Sequence, residues 1–237
     1  MKKNRENPIS LQKKQMAATD RATIDYKSEV LRKTIHLCSI SIPVVYYFIT
    51  KDLALKILIP LTIFSLFADL SRYYYKPFSE IFYKLFGFLL RKHEKDAIKK
   101  NLSGATYVLI SAVLTVILFP KVFVITAFSV LIIGDIAAAL IGRRFGKTPF
   151  LFKSLQGTLA FFLFSCIVIL FTPKIDGSLL EFVIGFISAA IGAIAENISG
   201  GWADDNFTIP VTVGIVMWIL YAIFLPHLSL ILPNVPN

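Results

Sequence analysis

Residues 134–157 read GDIAAALIGRRFGKTPFLFKSLQG. They begin inside an apolar run in which Asp135 is the only charged residue between Val122 and Ile141, and they end in a loop carrying Arg143, Arg144, Lys147 and Lys153. An apolar run of that length reads as a membrane-spanning helix. A carboxylate at such depth costs about 2.5–3.5 kcal/mol on insertion scales and is retained for a partner, which makes Asp135 a functional candidate. Gly134, Ala137, Ala138, Ala139, Gly142 and Gly146 are small enough to let a ligand or a second helix approach the backbone.

The rest of the chain fits that reading. Of 237 residues, 56% are hydrophobic, and the mean hydropathy is +0.69. Soluble domains hold about 45–50% apolar residues even with glycine counted. Apolar segments recur at residues 34–49, 53–68, 102–119, 122–141, 155–171, 179–195 and 209–225. Those shorter than the roughly 20 residues a span needs extend by a turn into their polar flanks. The expected fold is an all-α polytopic membrane bundle of about seven transmembrane helices, six being the alternative. Residues 1–33 form a basic arm and residues 34–237 one transmembrane catalytic domain. Cys38 and Cys166 fall within apolar segments without metal-ligand spacing and read as packing residues. The start of the chain lacks an apolar signal core, so the first span is expected to serve as an uncleaved signal.

The net charge of +10 does not point to nucleic acid, because the basic residues lie between apolar segments, where they set topology and meet anionic lipid. With the N-terminus in the cytoplasm, twenty-one of the 25 Lys and Arg fall on the cytoplasmic side, in the arm, the 70–101 loop and the 142–153 loop. Lys51, Lys56, Lys121 and Lys174 remain for the other side. This places the protein in a membrane, the inner membrane for a bacterium, with its basic loop and its acidic 204–205 loop on the nucleotide side. Between residues 73 and 90, Tyr73, Phe78, Phe82, Leu85, Phe86 and Leu89 recur at helical spacing between charges, the pattern of one amphipathic interfacial helix.

Four groups carry the candidate chemistry. Glu29, Arg32 or Lys33, and His36 share one helical face at the entry to the first span. A histidine in an apolar helix usually faces the bundle interior. Asp69 and Arg72 read as a helix-end ion pair of small worth. The 134–157 stretch joins Asp135 to a basic, glycine-bearing loop suited to phosphates, although it holds no GxxxxGK[ST] loop. Glu196, Asn197, Asp204, Asp205 and Asn206 crowd a loop without Lys or Arg, and oxygen ligands of that kind suit Mg²⁺ carried by phosphates.

The pattern GDxxAAxxGRxFGK (134–147) followed by KSxxG (153–157), Glu196 and DDNxTIP (204–210) resembles the CTP-dependent polyprenol and lipid kinases, which include dolichol kinase, phytol kinase and the fungal-type diacylglycerol kinase. SEVLRKTIHL (28–37) and GATY (104–107) match as well. Phosphatidate cytidylyltransferases share a similar central segment, but their closing K-D-x-x-x-x-P-G-H-G-G run is missing from this chain. Gln156 stands where the lipid kinase family more often shows an acid.

The resemblance implies an enzyme that passes the γ-phosphoryl group of CTP to a lipid alcohol such as a polyprenol, a phytol-like alcohol or a diacylglycerol. Cytidylyl transfer to phosphatidate is the enzyme alternative, and a membrane protein without activity the third reading. On the kinase reading, Gly134, Gly142, Arg143, Gly146, Lys147, Lys153, Ser154 and Gly157 form the nucleotide site. Asp135, Glu196, Asp204 and Asp205 hold Mg²⁺, and Asp135, Lys153, Glu196, Asp205 and His36 carry the catalysis. The partners are CTP, the lipid alcohol and the surrounding lipid, with a homo-oligomer left open and no nucleic acid.

Overall fold

The computed structural model describes residues 26–87, 90, 101–199 and 204–236. The arm up to residue 25, the basic residues Arg91, Lys92, Lys95, Lys99 and Lys100, and the turn 200–203 lie outside them. The regular structure of the described chain is helical apart from one hairpin of two two-residue strands. Its elements are α1 (Tyr26–Leu37), a 3₁₀ turn (Cys38–Ile40), α2 (Ser41–Phe48), α3 (Lys51–Tyr74), α4 (Lys76–Phe86), α5 (Gly104–Leu118), α6 (Lys121–Phe145), β1 (Pro149–Phe150), β2 (Lys153–Ser154), α7 (Leu155–Phe171), α8 (Leu179–Ile198) and α9 (Asp205–Phe224).

Helix starts follow local chemistry. Thr50, Ser103, Ser154 and Asp204 occupy N-cap positions of α3, α5, α7 and α9, and the side chain of each accepts a backbone N–H of the first turn. Such caps satisfy donors that have no intrahelical acceptor. The first apolar segment is not one helix. Pro43, in the first turn of α2, has no N–H to return to the preceding turn, and the chain tightens into the 3₁₀ turn instead.

Among the described residues, four helices are long and apolar enough to cross a membrane: α3, α6, α8 and α9. Helices α5 and α7 are apolar but have 15 and 17 residues, against the roughly 20 that span a hydrocarbon core. The sequence places an interfacial helix after the second span, and α4 stands there with Phe78, Phe82 and Phe86 packed ring to ring while Ile81 and Leu85 are exposed.

Helix α6 is the hub. Some 72% of its most apolar stretch is buried, against 22% for α3, and α1, α2, α5, α7 and α9 all pack on it. Phe123, Phe128, Leu131 and Ile132 are fully enclosed. At one end of the bundle Glu181, also fully buried, accepts the N–H groups of Ile175, Asp176 and Gly177 and the hydroxyl of Tyr221, which closes the α7–α8 turn onto α9.

Asp69 and Arg72 form the expected helix-end ion pair, at 3.3 Å, but it is buried rather than of small worth. Both are 2% exposed. Asp69 Oδ2 accepts Ser103 N at 2.7 Å, Ser103 Oγ at 2.8 Å and Thr106 Oγ1 at 2.6 Å, while Arg72 Nη2 donates to the carbonyl of Asn101 at 2.8 Å. The pair therefore anchors the start of α5 to the end of α3, and its burial makes it costly to break from one side. Gly214 of α9 lies under the ring of Phe119, where an added Cβ would come within 2.5 Å of the ring. Gly214→Val is expected to destabilise the fold by about 1–3 kcal/mol through overpacking, read as a lower melting temperature in detergent.

Candidate functional site

Asp135 lies in the second half of α6, only 3% exposed, and α1 supplies its counter-ion. The Lys33 ammonium forms an ion pair with Asp135 Oδ2, and His36 Nε2 stands 3.5 Å from the same oxygen. Both partners come from the helical face predicted to look inward. One turn earlier on that face, Glu29 takes Arg32 at 2.6 Å and reaches Arg143, at the end of α6, at 3.5 Å. Burial works against the Glu29 carboxylate, but the Arg32 guanidinium outweighs it and holds the Glu29 pKa below the ordinary glutamate value. Two ion pairs thus fasten the entry helix along the polar end of α6.

The loop after α6 is held by two side-chain amides. Gln156 Oε1 accepts Lys147 N at 3.1 Å and Thr148 N at 3.2 Å. Asn197 Oδ1 accepts Phe152 N at 2.9 Å and Lys153 N at 3.3 Å, while its Nδ2 donates to Thr158 Oγ1 at 2.6 Å. Between the two clasps β1 and β2 pair Pro149 with Ser154 and Phe150 with Lys153. Four N–H groups of the loop after the glycines, those of Lys147, Thr148, Phe152 and Lys153, are thus occupied by side-chain carbonyls. Cations are what the loop presents.

Gly142, Gly146 and Gly157 gather around Ser154. A Cβ on Gly146 would lie 2.7 Å from Ser154 Oγ, and one on Gly142 would lie 3.2 Å from the Gly157 Cα. Gly134 brings α7 close to α6, since its Cβ would meet Ser165 Oγ at 2.7 Å and Phe161 at 2.8 Å. All four glycines serve close helix and loop packing here.

Lys153 Nζ donates to Glu196 Oε1 at 2.6 Å. Burial alone would lower the Lys153 pKa, yet Glu196, with Asp205 and Asp135 beyond it, holds it above the ordinary lysine value. Asp205, 6% exposed, is near enough to act electrostatically on Asp135, His36, Lys153 and Glu196. Asp204 is placed differently, as the cap of α9, with Oδ1 accepting Asn206 N at 2.9 Å and Asn206 Nδ2 at 2.7 Å.

The fold therefore unites His36, Asp135, Lys153, Glu196 and Asp205. Arg143 joins through Glu29, and Lys147 stands exposed at the rim. Among the described residues, the buried atoms left without a hydrogen-bond partner include His36 Nε2, Glu196 Oε2 and Asn206 Oδ1, all at this end of the bundle. Buried polar atoms of that kind are met by a water, an ion or a bound group, or serve a catalytic role. No group of three or more His, Cys, Asp or Glu stands in metal-holding geometry among the described residues. Mg²⁺, however, asks for only one or two carboxylates beside the phosphates that bring it. Glu196 and Asp205 fit that need, whereas Asp135 is committed to Lys33.

Sequence reasoning placed Arg32 or Lys33 on the face of Glu29 and His36 without naming a partner for it, and assigned no role to Gln156 or Asn197 in holding the loop. The signal for Lys33 was its spacing from His36 on one face. The signal for Asn197 was weaker, a carboxamide beside Glu196 at the end of an apolar helix. Replacing Asn197 with Leu strands the Phe152 and Lys153 N–H groups and is expected to cost about 1–3 kcal/mol. Asn197→Asp, which keeps the acceptor, is expected to lose less, and melting curves of the two variants make the comparison.

No family model matches the chain, and no solved structure matches it. It is 30% identical over 192 residues to an uncharacterized protein, RP860, of Rickettsia prowazekii, covering 80% of this chain and 93% of that protein. It is also 30% identical over 165 residues to CTP-dependent diacylglycerol kinase 1 of Schizosaccharomyces pombe, covering 64% of this chain and 74% of that enzyme. With its polar cluster built on the segments that carry the motif, the chain belongs to the family of these two proteins.

Proposed function

We propose that this protein is an integral membrane kinase that transfers the γ-phosphoryl group of CTP to a lipid alcohol, with a diacylglycerol as the first acceptor to test. The observation that carries the reading is Lys153, a half-buried cation held by the buried Glu196 beside Asp135, Asp205 and His36. The kinship with a CTP-dependent diacylglycerol kinase supports the lipid kinase reading.

Phosphoryl transfer asks for positioning and charge neutralisation. Lys153 and Lys147 would hold the triphosphate, with Arg143 alongside. When phosphate draws the Lys153 ammonium away, Glu196 is freed, and with Asp205 it would hold Mg²⁺. The ion supplies neutralisation of the phosphate charge when bound. The acceptor hydroxyl oxygen bonds to the γ-phosphorus, the bond to the bridging oxygen breaks, and CDP leaves. His36 Nε2, without a hydrogen-bond partner, would take the hydroxyl proton, and Asp135 beside it would stabilise the imidazolium. Lys33 keeps Asp135 ionised and in place.

The membrane arrangement that goes with this reading has seven spans, with α5 and α7 completed by their polar flanks and the α1–α2 segment crossing in two pieces. The N-terminus and the 142–153 loop face the cytoplasm, where CTP is. A thiol placed at Lys147 is expected to react with an impermeant reagent only from that side, and labelling from the opposite side overturns the orientation.

Purified protein with γ-labelled CTP, Mg²⁺ and diacylglycerol is expected to place label in lipid and release CDP. Lys153→Met is expected to lower kcat/KM by about 10²–10³, the usual loss when one stabilising contact to developing charge is removed. Label released as pyrophosphate with phosphatidate as acceptor would instead identify cytidylyl transfer.

A further inference from the structure

The hairpin between α6 and α7 carries a feature that nucleotide binding does not use. Phe150, Leu151 and Phe152 form its tip and are 36%, 46% and 54% exposed, and Phe145 at the end of α6 is 55% exposed. Leu151 has φ of +48°. A leucine in the left-handed region is strained, and tight turns place glycine or asparagine there. Asn234, at φ +59°, is the tolerant kind of residue; Leu151 is not. Backbone strain retained for an exposed apolar side chain marks that side chain as the useful part of the turn.

Three observations indicate what covers the tip. The hairpin joins adjoining ends of the apolar helices α6 and α7, which on the seven-span reading puts it at the depth where the bilayer gives way to headgroups. Its apolar surface continues onto surface that faces lipid. Asn197 ties Phe152 to the last turn of α8, where Ile194 and Ile198 are exposed, and α7 exposes Leu159, Leu163 and Ile167. The flanks are cationic, with Lys147 exposed and the Arg144 guanidinium lying 5.4 Å from the centre of the Phe145 ring. Apolar side chains rimmed by cations suit an anionic lipid interface.

We propose that Phe150, Leu151 and Phe152, together with Phe145, insert into the lipid leaflet on their side of the membrane, with Arg144 and Lys147 engaging anionic headgroups. The insertion holds the Lys153 loop at the level of the headgroups. Insertion stands independently of the kinase reading; its consequence, that a lipid hydroxyl is presented beside Lys153, rests on that reading.

The test uses the full chain, with Cys38 and Cys166 replaced by alanine, in bilayer discs of phosphatidylcholine and phosphatidylglycerol. A nitroxide is attached through Leu151→Cys and, separately, through Phe152→Cys. Collisions with oxygen exceeding those with a water-soluble nickel chelate at both sites are expected. The reverse order overturns the insertion, and so does shielding from both reagents together with spin–spin broadening, which would show a second copy of the chain on the tip. Leu151→Gly relieves the strain and is expected to leave the melting temperature unchanged or raised. It is also expected to lower turnover of bilayer-embedded diacylglycerol about tenfold relative to a short-chain soluble one, the ratio that loss of one apolar anchor produces. An unchanged ratio overturns the presentation role. Absence of CTP turnover in the parent protein overturns the kinase reading while leaving the nitroxide result to decide the insertion.

Discussion

A carboxylate in the middle of the most buried helix has to be matched, and the ion pair of Asp135 with Lys33 is how this chain does it. Removing one member of a buried pair leaves an uncompensated charge, which costs several kcal/mol. The pairing therefore dictates that α1 lie along the polar end of α6 in one register. That register in turn places His36 against the same carboxylate and Glu29 between Arg32 and Arg143. The entry helix is as much a wall of the site as a membrane segment.

The second wall of the polar cluster is the hairpin, which is built to hold its shape. Gln156 and Asn197 hold four of its N–H groups, so the loop keeps its shape without a ligand, and its long cationic side chains do the reaching. Lys153 rests on Glu196. A lysine is a compact charge on a flexible stem, suited to exchanging one anionic partner for another. The apolar tip of the same hairpin gives the loop a second attachment, outward rather than inward.

Two expectations read from spacing changed on folding. The first apolar segment is broken near Pro43, because a periodic run of apolar residues reports burial and says little about a missing N–H one turn back. Asp69 and Arg72 pair at the helix end as their spacing predicts, but the pair is buried because α5 begins against it, and no local pattern announces a partner 34 residues away.

The sequence alone determined the helical membrane class, the isolated acid Asp135, the basic loop after it and the acidic end of the eighth helix, because hydropathy, charge and small-residue spacing are local properties written residue by residue. The inward-facing side of α1 was equally legible, since helical periodicity places Glu29, Lys33 and His36 together. Tertiary structure alone decided that Lys33 takes Asp135, that Lys153 takes Glu196, that Asn197 and Gln156 clasp the loop, and that Asp204 caps a helix while its neighbour Asp205 joins the cluster. Each of those choices pairs groups far apart in the chain or turns adjacent side chains in opposite directions, and only packing of the helices on α6 selects among the pairings that charge alone would permit.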